Sequence, residues 1–278
     1  MATFTNQAQL AYNNTVVNSN VAVGEIVGEL AVTKTAIGNT YGRNDNVAYA
    51  ISITNSTSAP LENVTVTDNL GAYTADGNTL YPLTYVDGTA RLFVNGVPTE
   101  GLVVTDGAPV QFSGITIPVG GNAIIIYEAR VNEFAPLDID GAITNTVTVN
   151  GEEASETITT EQEPELTITK TIEPVPVTQN SEVTYTFTIL NFGNTPAVAT
   201  DNAILTDIFD PILTDITVTF NGATWTEGVN YNYDEATGLF TTVAGQITVP
   251  AATYTIDPVT NAVVINPGVS ELVVTGTI

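Results

Sequence analysis

The sequence has 278 residues, of which 43% are hydrophobic and only 13% are charged, and its formal net charge is −25 from 30 acidic and 5 basic residues. This charge excludes nucleic acid and anionic membranes as partners, because almost no basic side chains are present to neutralise phosphates. The absence of Cys and His excludes disulfides, zinc sites, cysteine nucleophiles and Ser-His-Asp triads. We therefore predict a protein without enzymatic turnover that binds no cofactor and no metal.

The composition and the periodicity of the chain predict an all-β fold. Thr, Val, Ile, Asn and Gly dominate, and short segments of alternating apolar and polar residues are bounded by Gly, Asn, Asp and Pro, as is typical of β-strands. Their regular spacing predicts an immunoglobulin-like β-sandwich. In the first half, strands are predicted near residues 30–37, 47–55, 61–67, 90–94, 101–105, 110–115, 122–132 and 142–149.

The second half of the chain repeats the first with a period of about 136 residues, the separation of Lys34 and Lys170. The repeat predicts two tandem sandwiches, over residues 29–151 and 165–278, joined by an acidic linker at 152–164. The matching segments are ELAVTKTA (29–36) with ELTITKTI (165–172), NVAYAISITN (46–55) with EVTYTFTILN (182–191), and NVTVTDNLG (63–71) with NAILTDIFD (202–210).

The two repeats differ in their last strand. The first continues past NAIIIYEARV (122–131) to ITNTVTVNG (143–151), whereas the sequence stops at the second repeat's equivalent of the earlier strand, SELVVTGTI (270–278). The missing strand resembles the opening segment, FTNQAQLAYN (4–13). Spacing agrees, because Asn6 precedes the next TKT lysine by 28 residues and Asn145 does so by 25. The sequence therefore predicts a circularly shifted repeat with a sandwich 2 that lacks its last strand.

A sandwich without one strand exposes unpaired backbone groups and an apolar slot, which favours insertion of a strand from elsewhere. We predict that residues 1–20 carry a donor strand at 3–13, followed by a linker at 21–28, and that Phe4, Ala8, Leu10 and Tyr12 fill domain 2 of a neighbouring molecule. A contact of this head-to-tail kind does not close, so it propagates as a homopolymeric filament. Return of the strand within one chain, ring closure and a disordered N-terminus are the alternatives.

The two lysines of the sequence, Lys34 and Lys170, occupy the same position of the TKT strand. Alternation places Lys34 on the same face as Val32 and Ala36. A lysine on such a face has its charged form disfavoured, and a neutral amine is a nucleophile. The lysines are therefore candidates for an amide-forming reaction inside the fold.

Asn145 offers the carboxamide that such an amine attacks, with loss of ammonia, and a nearby carboxyl group is needed to relay the proton. Asp68 and Asp207 lie at matched repeat positions and are predicted as the acid catalysts; Glu128 is an alternative acid in domain one. We predict an intramolecular Lys34–Asn145 isopeptide bond and an intermolecular Lys170–Asn6 isopeptide bond. The alternative is a Lys–Asp ion pair or hydrogen bond without covalent chemistry.

The combined pattern VTKT…NVAYAISITN…VTVTDNLG…ITNTVTVNG resembles the conserved repeat domain of unknown function in large surface proteins of bacteria and archaea, especially clostridia. The resemblance covers residues 29–151 and 165–278. It implies an immunoglobulin-like sandwich on a cell or spore surface, with Lys–Asn bonds and an acidic catalyst. By this resemblance the roles fall on two sets of residues. They are Lys34, Asp68 and Asn145, then Lys170, Asp207 and Asn6.

These features together predict a structural subunit of an extracellular or spore-surface filament. Met1 is followed by polar residues, so no signal peptide is recognised, which predicts earlier processing or another route of export. The alternative functions are a passive spacer without polymerisation and a surface adhesin. An adhesin would use the aromatic side chains of the segment WTEGVNYNYDEATG (225–238).

Overall fold

The computed structural model describes residues 2–26 and 30–278, and it confirms the predicted all-β class. Within these residues the chain forms two compact units, one of residues up to 135 together with 143–158, and one of residues 136–142 together with 159–278. Both units are built from antiparallel sheets packed as immunoglobulin-like β-sandwiches. No helix in the described part of the chain is long and apolar enough to span a membrane.

Residues 2–26 form a long hairpin, which we call the N-terminal arm; each of its two sides consists of two short strands in line. Its strands are β1 (Ala2–Asn6), β2 (Gln9–Tyr12), β3 (Thr15–Asn18) and β4 (Ala22–Ile26). β1 pairs with β4 and β2 with β3, so the chain runs out and back as one interrupted hairpin. Asn13 and Asn14, with φ of 45° and 60°, form its turn, because asparagine adopts the left-handed conformation more readily than most residues.

Beyond the arm, the first unit is built from fourteen described strands whose inward side chains are mainly apolar. In chain order they are β5 (Leu30–Ile37), β6 (Thr40–Tyr41), β7 (Asn46–Asn55), β8 (Leu61–Asp68), β9 (Tyr73–Ala75), β10 (Asn78–Leu80), β11 (Leu83–Tyr85), β12 (Arg91–Val94), β13 (Val97–Thr99), β14 (Val103–Thr105), β15 (Val110–Ile117), β16 (Asn122–Val131), β17 (Ala142–Val149) and β18 (Glu152–Thr160).

Two six-stranded sheets make the first sandwich. One has the order β13-β12-β16-β7-β5 with β11 also on β16, and the other has the order β14-β15-β8-β17-β18-β6. Strict alternation fixes which side chains face the core: every second residue of β7 and β16 is buried. The Lys-bearing strand β5 is an edge strand of the first sheet, and the hairpin β17–β18 is followed at the edge of the second sheet by the short strand β6.

The second unit repeats the first sheet of this plan. Its strands are β19 (Leu166–Glu173), β20 (Glu182–Asn191), β21 (Thr206–Ile208), β22 (Thr214–Phe220), β23 (Ala223–Thr224), β24 (Tyr231–Asp234), β25 (Leu239–Thr242), β26 (Thr253–Ile256), β27 (Val263–Asn266) and β28 (Gly268–Thr277), with one turn of 3-10 helix at Ala199–Asp201. The order β19-β20-β28-β22-β23 matches β5-β7-β16-β12-β13 of the first unit.

The second sheet of this unit is smaller, with the order β21-β25-β24. β21 corresponds to β8, and β8 is paired on one side by β15 and on the other by β17. Among the strands described in the second unit, β21 pairs with β25 alone. One edge of β21 is therefore open, at the position that β17 fills in the first unit.

Several predicted boundaries differ from the structure. The linker predicted at 152–164 includes β18, which joins the second sheet through β17 and β6; inward-facing Ala154 and Ile158 follow a period of two that its acidic composition obscures. The linker predicted at 21–28 includes β4, and its residues 27 and 28, like residue 29 at the predicted start of sandwich 1, lie outside the described residues. The predicted donor segment 3–13 is one half of a hairpin and not a lone strand.

Candidate cross-linking site

Lys34 lies in the middle of β5, paired with Ile51 of β7, and its side chain is fully buried. Val32 and Ala36, on the same face, are half-buried, while Thr33 and Thr35 on the other face are exposed. The period of two in the TKT strand therefore turns the lysine into the sandwich, as predicted. The amine lies 4.8 Å from the ring centre of Tyr49 and 5.7 Å from that of Tyr127, which stabilises its charged form.

Asp68, the last residue of β8, is also fully buried. The Lys34 amine donates to Oδ2 of Asp68, and so does the hydroxyl of Tyr127. The backbone N–H of Leu70 donates to the other carboxylate oxygen over 3.0 Å. These three donors hold the carboxyl group beside the amine in a fixed orientation.

Asn145 lies on β17 with no solvent exposure, and it contacts the same group of side chains. Its Nδ2 donates to the Tyr127 hydroxyl over 3.2 Å, and the Lys34 amine donates to that hydroxyl over 3.1 Å. The backbone N–H of Gly71 donates to Oδ1 of Asn145 over 3.2 Å. Amine, carboxyl group and carboxamide thus meet around one tyrosine hydroxyl, and a backbone donor polarises the carbonyl that an amine would attack.

Burial changes the protonation of this cluster. Desolvation lowers the pKa of Lys34 from 10.5 to about 8, against the opposing attraction of Asp68. Burial also raises the pKa values of Tyr127 and Tyr49, so both hydroxyl groups stay protonated and the Tyr127 hydroxyl stays a hydrogen-bond donor. A sizeable fraction of Lys34 is therefore uncharged near neutral and mildly alkaline pH, which is the reactive form of an amine.

Two glutamates lie near this site, and only one of them acts on the lysine. Glu128, the alternative acid, is half-buried, and it accepts a hydrogen bond from Asn46 over 3.1 Å on the other face of β16 from Tyr127. Glu156 of β18 acts on Lys34 by charge alone and raises its pKa. Asp68 is therefore the carboxyl group that contacts the amine.

The second unit contains the same pair in a different setting. The Lys170 amine donates to Oδ2 of Asp207, and 38% and 21% of their side chains are exposed, against none for Lys34 and Asp68. The amine lies over the rings of three aromatic residues. They are Tyr185 at 4.4 Å, Phe209 at 5.2 Å and Phe187 at 5.3 Å.

An open cavity of about 330 Å³ lies along β19 and the start of β21. Its lining is mainly apolar. The lining residues are Leu166, Thr167, Ile168, Ile189, Ala203, Ile204, Leu205, Thr206 and Ile247. Ile168 is 53% exposed, whereas Val32, its counterpart on β5, is half-buried. The cavity therefore exposes a face that the first unit covers.

The predicted donor residues all lie exposed on the N-terminal arm. Asn6 pairs with Ala22 across the arm, and Phe4 with Gly24. The Phe4 ring lies where a side chain on residue 24 would be, within 2.4–2.5 Å of an added Cβ, so only glycine fits beneath it. More than half of the surface of Phe4, Leu10 and Tyr12 is accessible. Ala8 is exposed as well.

Sequence reasoning missed Tyr127 and the Gly71 N–H. The available signal for Tyr127 was its register, because it lies directly opposite Tyr49 across β16 and β7. In the second unit Val274 lies opposite Tyr185, the counterpart of Tyr49, so no hydroxyl occupies the place of Tyr127. The matched positions of Asp68 and Asp207 indicated the acid. The Tyr127 hydroxyl, which contacts the amine, the carboxyl group and the carboxamide, has no counterpart in the second repeat and so could not be found by comparing the repeats.

The aromatic segment predicted as an adhesin surface packs mostly on its own unit. Trp225 stacks on Phe220 with ring centres 4.9 Å apart, and Tyr231 is buried against Phe240. The Tyr233 hydroxyl donates to the Leu213 carbonyl. These rings contribute to the core and leave little flat aromatic surface for a ligand.

No protein-family model matches the sequence, and no curated protein matches it. Similar solved structures include the pilus backbone protein RrgB of Streptococcus pneumoniae, with 14% identity over 86% of this chain and 55% of that one (TM-score 0.36). They also include the major pilin subunit of Bacillus cereus, with 10% identity over 96% and 73% (TM-score 0.35), and the collagen-binding domain of a Staphylococcus aureus adhesin, with 13% identity over 48% and 99% (TM-score 0.31). The chain spans about half the length of the first. At these identities and TM-scores the similarity assigns no function.

Proposed function

We propose that the protein is the subunit of a surface filament, on a cell or a spore, and that it polymerises head to tail by strand donation. The N-terminal residues 3–13 of one molecule enter the second unit of the next and lie along the open edge of β21. Phe4, Ala8 and Leu10 then face its core. The observation that carries this proposal is the contrast between β8, paired on both sides, and β21, paired on one.

Backbone pairing and apolar burial both favour this insertion. No described strand pairs with the open edge of β21, and within this strand the Ile208 N–H donates to Oδ1 of Asp207. Leu166 and Ile168 are 40% and 53% exposed beside it. The inward residues of β17 are Ile143, Asn145, Val147 and Val149. In the alignment of Asn6 with Asn145, their counterparts are Phe4, Asn6, Ala8 and Leu10, which repeat the pattern of three apolar residues and one asparagine.

We further propose that two isopeptide bonds lock the assembly. In the first unit, the neutral amine of Lys34 attacks Cγ of Asn145, a C–N bond forms, and the bond to Nδ2 breaks. Asp68 takes the amine proton and passes one to the departing nitrogen, which leaves as ammonia, so the reaction consumes no oxidant or other reagent. Burial holds the groups in contact, and the fold carries out a single turnover.

In the second unit, Lys170 and Asp207 are paired but lack a carboxamide, which Asn6 of a donated strand would supply. Insertion of a strand would bury this pair as Lys34 and Asp68 are buried. The resemblance to surface-protein repeats is consistent with the same chemistry and with a location on a bacterial or archaeal cell or spore.

Electron microscopy of purified protein tests the polymer, with a variant lacking residues 1–20 as the comparison. We expect filaments from the full chain and single molecules from the shortened one. Filaments of normal abundance from the shortened chain would rule out strand donation. Denaturing gel electrophoresis of the filaments tests the intermolecular bond, because a covalent polymer runs as a ladder.

A further inference from the structure

Resting on the proposed function, we infer that the donated element is the whole two-stranded arm and not a single strand. In this arrangement β1 and β2 pair with β21 of the next molecule, and β3 and β4 lie beyond them and cover the apolar face of β19. The partner is a second copy of this chain.

The first unit indicates what a complete site contains. Its second sheet continues from β8 through β17 and β18 to the short strand β6, so the β17–β18 hairpin and not a single strand lies beside the Asp-bearing strand. β18 pairs with β6, which follows β5 in the chain, so the hairpin reaches the side of the sandwich where the lysine-bearing strand lies. Asn150 in the hairpin turn and Glu152 at the start of β18 line one cavity together with Leu30 and Leu61. Both strands of the β17–β18 hairpin therefore help to cover the lysine-bearing strand β5.

The second unit has the uncovered version of the same face. Leu166 and Ile168 on β19 are 40% and 53% exposed, while their counterparts Leu30 and Val32 on β5 are half-buried. A single strand on β21 would occupy the position of β17 alone. The position of β18 would stay empty, and part of the β19 face would remain in water.

The N-terminal arm already has the form of the hairpin that fills this place. Asn150 and Gly151, both with positive φ, make the tight turn between β17 and β18, and Asn13 and Asn14 make the turn of the arm in the same way. The strands of the arm are paired before any partner is present. A preformed hairpin loses less conformational entropy on docking than a disordered segment would.

The second strand of the arm has the chemistry of a buried strand. Val17, which lies opposite Leu10 and shares its face, is 47% exposed, so docking of the arm would remove this apolar side chain from water. No charged side chain occurs in residues 1–24 of a chain whose net charge is −25. Glu25, at the far end of β4, is the one charged side chain of the arm, so the rest of the arm avoids repulsion when it docks on an acidic neighbour.

Register supports the same conclusion. Hydroxyl pairs Thr144–Thr157 and Thr146–Ser155 place Asn145 opposite Glu156 in the first unit. In the arm, Asn6 lies opposite Ala22, and Leu10 lies opposite Val17. Ala22 of the arm therefore corresponds to the half-buried Glu156 of β18. Val17 lies on the same inward face as Leu10.

Three single substitutions in the full chain test this inference. Val17→Asp puts a charge on the inward face of β3, and Val16→Asp puts the same charge on the outward face of the same strand. Because burying an unpaired carboxylate is costly, we expect Val17→Asp to reduce filament yield by about tenfold or more, with Val16→Asp close to the unchanged chain. Leu10→Asp, on the first strand, should abolish filaments. Sedimentation and electron microscopy measure the yield.

The outcomes separate the inference from the proposed function. If Leu10→Asp blocks assembly and Val17→Asp does not, only one strand is donated and the inference is wrong while strand donation stands. If Leu10→Asp assembles normally, strand donation itself is wrong. An equal loss of filament yield in Val17→Asp and Val16→Asp would also overturn the inference, because docking would then not depend on which face of β3 carries the charge. Hydrogen exchange provides a second measurement: amides of residues 15–24 should exchange at least about tenfold more slowly in filaments than in single molecules, and equal rates would contradict it.

Discussion

Lys34 and Lys170 occupy the same position of matching strands, yet the side chain of Lys34 is fully buried and 38% of that of Lys170 is exposed. Both amines donate to an aspartate at the matched repeat position. The difference comes from the neighbouring strands, because β17 and β18 complete the first unit and β21 has an open edge in the second. One unit therefore brings a lysine, an aspartate and an asparagine together, and the other brings together only the lysine and the aspartate.

Replacement of the carboxyl group should stop the first reaction. In Asp68→Asn we expect the full mass of the variant sequence, whereas the unchanged protein should be lighter than its own sequence mass by one ammonia. Lys34 then lacks a buried partner, so the free energy of unfolding should fall by about 3–5 kcal/mol. Mass spectrometry and denaturant unfolding measure the two effects. Asp106→Asn, on an exposed loop, is the matched control and should still lose ammonia; loss of ammonia from Asp68→Asn would exclude the aspartate as catalyst.

Removal of the Tyr127 hydroxyl should slow the reaction without preventing it. This hydroxyl contacts Lys34, Asp68 and Asn145, so Tyr127→Phe loosens the geometry but leaves the amine and the acid in place. We expect the ammonia loss after refolding to be slower by about tenfold or more. Tyr85→Phe is the matched control, since the Tyr85 ring is also buried, against Phe112 and Tyr127, but its hydroxyl accepts from the Ala90 N–H and from none of the three reacting groups. Equal rates in the two variants would show that the hydroxyl has no part in the reaction.

The first cross-link should form faster as pH rises through about 8. Burial lowers the pKa of Lys34 to about 8, so its reactive neutral form becomes dominant above that value. In Asn145→Ala, which cannot react, the stability of the first unit should rise with pH from about 8 to 10.5, because the unfolded chain keeps the lysine proton over that interval and the folded chain releases it. Refolding at a series of pH values, followed by mass spectrometry, measures the rate. A rate that does not depend on pH would contradict attack by this amine.

The intermolecular bond should be separable from assembly. In Asn6→Ala the carboxamide is absent but the strand keeps its apolar face, so we expect filaments that dissociate fully in denaturing detergent. Lys170→Met should behave in the same way. Asn18→Ala, at an exposed position of β3, is the control and should keep the ladder. A ladder that persists in Asn6→Ala would exclude this residue as the cross-linking partner.

The sequence by itself determined the fold class and the composition of the first site. Alternation with a period of two places Lys34, Asp68 and Asn145 on inward faces, and the repeat identifies Lys170 and Asp207 as a second pair. The predicted bounds of β5 and β17 agree with the structure to within one residue, because a strand with one buried face has its register fixed by the hydrophobic pattern.

Only the tertiary structure decided which side chains meet. Tyr127 contacts the amine, the acid and the carboxamide through strands that are far apart in sequence, and no local pattern marks that meeting point. The acidic segment 152–160 is a strand and not a linker, because its pairing with β17 and β6 outweighs its weak apolar alternation. The difference in exposure between Lys34 and Lys170 has the same origin: identical local sequences have different surroundings, and burial depends on which strands pack over them.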